Sequence, residues 1–280
     1  MAHPQSVDFL LRQAGRARHA AAVLAACGRR AVERLPSDCP LCAGRAHGGL
    51  LCPGCEADVV GSMRAPATRR CRRCALPLAD PPGSAGAVGA CADCVRRPPA
   101  YSRTVAGFDY VPPADLLVLQ LKNGRRYGRA RLLSALLAGS LRAAFDALPP
   151  DTVLVPVPAS RASLRMRGFN PAGELARWLA ADLGLPLRPR WLVRARESAK
   201  QSTLGRAARL RGRQGVFACP LDLPPCAVAL VDDVMTTGGT LDAAARALRG
   251  RGAREVIALV AARVPPPARH AAAPERGLAQ

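Results

Sequence analysis

Residues 228–240 read VALVDDVMTTGGT: an apolar run, two adjacent aspartates, then threonines and glycines. Adjacent like charges repel, and no residue close in sequence neutralises Asp232 and Asp233. Two such carboxylates can accept hydrogen bonds from neighbouring hydroxyls, or help to hold a hydrated Mg2+. The loop behind them opens a helix, so its free backbone N–H groups and the helix dipole suit an anion. Gly238 and Gly239 allow close backbone approach, and Thr236, Thr237 and Thr240 add hydroxyl donors. This is a monophosphate cradle beside hydroxyl acceptors, a combination that a ribose 5-phosphate satisfies. It is not a Walker loop, because the Lys and the wider spacing are missing.

Cysteine carries the second chemical signal. Eight of the eleven Cys form four C-x-x-C pairs: Cys39/Cys42, Cys52/Cys55, Cys71/Cys74 and Cys91/Cys94. Each pair can point two thiolates at one ion, and two pairs complete a tetrahedral zinc site. Pairing in sequence order is simplest, with Cys39, Cys42, Cys52 and Cys55 on one zinc and Cys71, Cys74, Cys91 and Cys94 on another. An interleaved cross-brace stays open. Large apolar residues are scarce between the pairs, so bound metal must supply much of the folding energy. His47 lies between the first two pairs, but four Cys already fill that site. Cys27, Cys219 and Cys226 lack such a partner and are expected to be small buried residues.

These groups need elements to position them. Residues 1–36 mix Ala and Leu with Arg and read as mainly helical; RRPPA closes the cysteine-rich segment 37–98. After it, TVAGFDYV alternates like a strand, while ADLLVLQLK and the stretch from Arg129 to Leu148 have helical periodicity. TVLVPVP at 152–158 is a short strand. NPAGELARWLAADLG is a helix with Asn170 as N-cap, Pro171 at N1 and Gly184 near its end. AVALV, LDAAARALRG and REVIALVAAR then read strand, helix, strand, with the first strand ending at the acid pair. Continuous apolar strands alternating with helices predict a buried parallel sheet, and ligands bind such sheets at the carboxyl ends of the strands.

Against that background, VALVDDVMTTGGT resembles the phosphoribosyl-pyrophosphate (PRPP) motif of type I phosphoribosyltransferases. The resemblance implies that Asp232 and Asp233 bind ribose and that Thr236, Thr237, Gly238, Gly239 and Thr240 bind the 5-phosphate. The cysteine quartets, YSRTVAGFDYVPPADLLVLQLKNG, VPVPASRASLRMRGFNPAGELA and VDDVMTTGGTL together resemble the ComF family in order and spacing, over roughly residues 37–264. That family includes competence proteins of DNA uptake and GntX-type proteins. It implies an α/β, Rossmann-like phosphoribosyltransferase domain at 99–264, behind a small double zinc ribbon at 37–98. Segment 1–36 precedes them, and a disordered tail is expected at 265–280. By the same resemblance, Pro158, Ala159, Ser160 and Arg161 would take pyrophosphate. RARESAKQSTLGRAARLRGRQ resembles the mobile loop that closes over substrate, and its Lys200 could reach the pyrophosphate. Where the family often has RGFNQ, this chain has Pro171 in place of Gln.

Two functions follow. One is a Mg2+-dependent transferase acting on PRPP, with two structural Zn2+. The other is a non-catalytic single-stranded DNA-binding or scaffold protein with a helicase-like competence partner, using the PRPP site as a sensor or relic. A net charge of +21 suits a polyanion, although all but two of the 41 basic residues are Arg, which coding bias also produces. Aromatic residues, at 4%, are few for base stacking. No apolar run approaches a membrane span, and Arg interrupts the N-terminal apolar patch, so a cytoplasmic protein without membrane insertion is expected. Disulfides are disfavoured in that compartment.

Overall fold

The computed structural model describes residues 28, 31–32, 34–64, 69–78, 89–124, 126–144, 147–195 and 215–266. Nearly all of the expected N-terminal helical segment, most of the expected tail, Cys27 and Lys200 lie outside these residues. The chain divides into two compact units, Met1–Glu56 and Ala57–Gln280.

In the first unit, β1 (Pro36–Asp38) and β2 (Arg45–His47) pair antiparallel, Ser37 opposite Ala46. Helix α1 (Pro53–Arg64) follows and runs past the division.

The second unit continues with α2 (Ala92–Arg96), β3 (Arg103–Asp109), α3 (Asp115–Lys122), α4 (Gly128–Ala143) and β4 (Val153–Pro156). Next come α5 (Arg161–Arg167), α6 (Pro171–Leu183), and the short strands β5 (Val193–Arg194) and β6 (Phe217–Ala218). The last elements are β7 (Ala227–Met235), α7 (Gly239–Arg249) and β8 (Glu255–Arg263). Strands β3, β8, β7 and β4 form one parallel sheet in that order. β7 and β8 are apolar on both faces because helices cover both. Val228, Leu230, Val256, Ala258 and Val260 face the side that buries Leu241, Ala244, Ala245 and Leu248 of α7. That same cluster takes in Cys71, Cys74, Cys94 and Tyr101. On the opposite side α4 and α6 pack together and against the sheet, burying Leu133, Leu137, Leu175 and Leu179.

Three elements differ from the sequence expectation. β7 does not end at the acids; it runs on to Met235, because β8 is long enough to pair with it through Val234↔Ala262 and Met235↔Arg263. Helix α4 stops at Ala143, with Ala144 extended, short of Leu148. Leu148 precedes Pro149, and a residue before proline is disfavoured in helix. Asn170 occupies the N-cap position of α6, but its side chain does not cap; its Nδ2 donates to Val157 O at 3.0 Å, tying the helix to the end of β4. Gly184 ends α6 in the left-handed conformation, as the glycine signal predicts.

Candidate functional site

β4 and β7 are neighbours, with Pro156 opposite Val231, so the loops that leave their carboxyl ends are adjacent. The bond from Val157 N–H to Val231 O (2.9 Å) extends this pairing by one residue. The β4 loop supplies half-buried Pro158, Ala159 and Ser160. Ser160 caps α5, its Oγ accepting from Ser163 N–H at 3.1 Å. Arg161 and Arg165 of α5 are exposed. The segment that contains Lys200 starts and ends at the β5–β6 ribbon, where Ala195 N–H donates to Val216 O at 2.9 Å.

The β7 loop is short. Thr236 and Thr237 are exposed, Gly238 takes the N-cap of α7 at φ +78°, and no side chain caps that helix. The first backbone N–H groups of α7 and the positive end of the helix dipole therefore meet at Gly238 and Gly239. Alanine at Gly238 would be strained twice. Its φ disfavours any Cβ, and that Cβ would sit 2.6 Å from Tyr101 Oη and 2.7 Å from Met235 Cε. A small cavity here is lined by Asp232, Val234, Met235, Thr236, Gly238, Thr240 and Leu241.

The two acids have different partners, although their side chains lie close enough to interact. Asp232 has the parity of Val228 and Leu230 and lines the cavity on the α7 side. Asp233 is not among the lining residues; its Oδ1 meets Lys122 Nζ, at the end of α3, at 3.1 Å. Burial and then the Asp233 charge push the pKa of Asp232 up to about 8. The backbone N–H of Asp233, donating to Asp232 Oδ1 at 2.9 Å, works the other way.

The eight cysteines gather as two sequential quartets, not as a cross-brace. In each, Cys39/Cys42/Cys52/Cys55 and Cys71/Cys74/Cys91/Cys94, the sulfurs lie within 4.8 Å of one another. His47 is exposed and belongs to neither. Backbone N–H groups point at the sulfurs: Gly44 to Cys42 (3.4 Å), Cys52 to Cys39 (3.5 Å), Cys74 to Cys71 (3.5 Å) and Cys91 to Cys71 (3.2 Å). Four clustered sulfurs, some of them accepting from backbone N–H groups, suit thiolates around a tetrahedral zinc ion, so the donor set fits that metal. Cys219 and Cys226 are buried, as expected.

The phosphoribosyl transferase domain family matches residues 163–276. DNA utilization protein YhgH of Salmonella typhimurium (strain LT2) is 36% identical over 190 residues, covering 66% of this chain and 80% of that protein. Competence protein F of Haemophilus influenzae is 28% identical over 171 residues, covering 59% of this chain and 75% of that one. The chain belongs to the ComF family. Among solved structures, the purine phosphoribosyltransferase from Pyrococcus horikoshii aligns with 51% of this ComF-family chain and 85% of its own. Its identity is 20% and its TM-score 0.29. Among the described residues, no helix of this ComF-family chain is long and apolar enough to cross a membrane.

Sequence reasoning missed three residues of this ComF-family site. Lys122 pairs with the second acid from 111 positions away. Its signal was available, since it is one of two lysines in a chain whose other basic residues are all Arg. Tyr101, 3% exposed, stands over Gly238, and Arg263, 2% exposed, donates to the carbonyls of Met235 and Thr236. Neither carries a local spacing that would have marked it.

Proposed function

We propose that this chain binds PRPP with Mg2+ at the β7–α7 junction and acts as a ComF-type phosphoribosyltransferase in DNA uptake or nucleic-acid metabolism, in the cytoplasm. One observation carries the reading: an acid pair near the carboxyl edge of a parallel sheet is followed, after the strand's last two residues and two threonines, by a helix start with a left-handed glycine and no side-chain cap. Asp232 and Asp233 would accept from the ribose hydroxyls, with Lys122 holding Asp233 in place. Thr236, Thr237, Gly238, Gly239 and Thr240 would hold the 5-phosphate. Pro158, Ala159, Ser160 and Arg161, on the adjacent loop, would hold the pyrophosphate, and Lys200 would reach it from the segment between β5 and β6. Two Zn2+ in the cysteine quartets would be structural.

In such a reaction pyrophosphate leaves C1 of the sugar and positive charge develops on the ring. Mg2+, when bound, supplies charge neutralisation of the leaving group. The carboxylate of Asp232, on the cavity side, would stabilise the cationic ring, and the backbone N–H groups at Gly238–Thr240 would hold the phosphate end still. A second reading draws on the net charge of +21 and on the names of the relatives, DNA utilization and competence proteins. In it, single-stranded DNA is the partner, with a helicase-like competence protein, and the PRPP site is a sensor or relic.

Calorimetry with PRPP and Mg2+ tests the first reading. Wild type should bind, and Asp232→Asn/Asp233→Asn should lose at least about tenfold in affinity. Absence of binding by wild type would sink it. Pyrophosphate release with candidate acceptors separates a transferase from a sensor. A steep fall of single-stranded DNA affinity with salt would support the second reading. Metal analysis should find two zinc per chain.

A further inference from the structure

The backbone of the second knuckle is fastened to the sheet at four successive carbonyls. Thr104 of β3 donates from its N–H to Arg72 O (3.1 Å) and from its hydroxyl to Arg73 O. Arg263, the last residue of β8, donates from Nε to Cys74 O at 2.6 Å. Arg70 Nη1 donates to Ala75 O at 3.0 Å, and Arg70 is itself held by Asp109 of β3 through bonds of 3.0 and 2.6 Å. Asp109, Arg263 and Met235 lie side by side at the carboxyl edge, paired by register across β3, β8 and β7.

Arg263 does more than hold the knuckle. Its Nη1 also donates to Met235 O (3.0 Å), to Thr236 O and to Val264 O (2.6 Å). Its described hydrogen-bond partners are therefore all carbonyl oxygens. A buried guanidinium is costly unless such dipoles surround it, so its position is tightly specified. One planar group thus joins Cys74 to the two residues where β7 turns into the phosphate loop. The other half of the quartet supports the loop from a second direction. Just after Cys94, Ala100 N–H donates to Asp242 Oδ1 in the first turn of α7 (2.7 Å), and Tyr101 Oη closes over Gly238.

We infer that the second quartet is the support of the phosphate loop, and that Arg263 is the positioning residue that transmits it. Metal held by Cys71, Cys74, Cys91 and Cys94 sets the conformation of residues 235–240. Calling that loop a phosphate site rests on the function proposed above, but its dependence on the quartet can be read without any ligand.

Amide hydrogen exchange on the full chain makes the test. Withdrawing zinc with a chelator should speed exchange at Thr236–Thr240 by about tenfold, while residues 256–260 in the sheet stay protected. With zinc bound, Arg263→Lys should speed the same amides, because an ammonium cannot span four carbonyls on three segments. Thr104→Val, which removes the hydroxyl from Arg73 O and from its 4.0 Å contact with Met235 Sδ, should act in the same direction by roughly two- to threefold and keeps the test alive if Arg263→Lys does not fold. Equal acceleration of loop and sheet, or no change at 236–240 in a folded variant, overturns the inference. Loop amides that respond in a wild type that takes up no PRPP would leave the positioning role standing and remove the ligand assignment instead.

Discussion

The two cysteine knuckles share one backbone plan and live in different surroundings. Cys39 N–H donates to Gly44 O (2.7 Å) and Ala43 N–H to Cys39 O (2.9 Å); Cys71 N–H donates to Leu76 O and Ala75 N–H to Cys71 O, both at 2.8 Å. Ala43 and Ala75 take the same left-handed conformation, φ +58° and +57°. Yet Cys42 is exposed and Cys52 and Cys55 are half-buried, while Cys71, Cys74 and Cys94 are buried in the core that faces α7. The first knuckle is braced locally, for example by Gly49 N–H on Ser37 Oγ (3.0 Å). The second is braced by Thr104, by Arg263, and by Arg70 held on Asp109. The same ligand code thus builds a self-contained module in one place and part of a larger core in the other. What separates them is burial and the donors that β3 and β8 place on the carbonyls of the second.

That contrast can be broken most forcefully at the ligands. Cys74→Ser should destabilise the second unit by about 4 kcal/mol or more, since it removes metal and core packing together. Cys42→Ser should leave residues 57–280 protected. Thermal melts with limited proteolysis read both, and equal losses in the second unit would erase the distinction. Next in size is Asp109→Asn, which leaves Arg70 without its carboxylate in a site where the two side chains are 13% and 9% exposed. It should lower the stability of the second unit by about 3 kcal/mol in urea denaturation.

A smaller effect concerns pH. Asp232 has a folded-state pKa of about 8 against an ordinary 3.8, so the ligand-free fold binds a proton that the unfolded chain releases. Its contribution to stability is complete below pH 3.8 and is lost as pH rises through about 8. Asp232→Asn should therefore gain stability on wild type, by a margin that grows with pH across that window. A gain that stays flat with pH in parallel melts would refute this. Smallest is Asp93→Ala, beside Cys94. Its pair with Arg96 is 2.6 Å long but 50% and 73% exposed, so the change should stay within about 0.5 kcal/mol. A larger loss would mean that nearness to the quartet matters even without burial.

Much of the fold was legible because its signals are local. AVALV and REVIALVAAR announce buried strands by continuous apolar character, and Asn170 with Gly184 brackets α6 at both ends. Both cysteine quartets could be read from C-x-x-C spacing, with pairing in sequence order as the simplest arrangement. The turn from Thr236 to Thr240 was readable for the same reason, since its helix N-terminus and glycines are contiguous. What stayed hidden depends on partners. β7 outruns the acid pair only because β8 continues beside it. The two acids look alike in sequence, but only Asp232 lines the cavity and only Asp233 forms the ion pair with Lys122. Asn170 gives up its capping bond because Val157 O lies within reach.

Residue type and short spacing were enough to specify the two cysteine quartets, strand, helix and the glycine-bearing turn after β7, because each needs neighbours only a few positions away. Packing alone determined that one knuckle would join the sheet, that Lys122 would neutralise Asp233, and that Arg263 would reach Cys74. The last contact spans 189 positions. No periodicity or spacing in a chain encodes a bond of that separation, which forms only when the sheet brings the carboxyl ends of its strands to one edge.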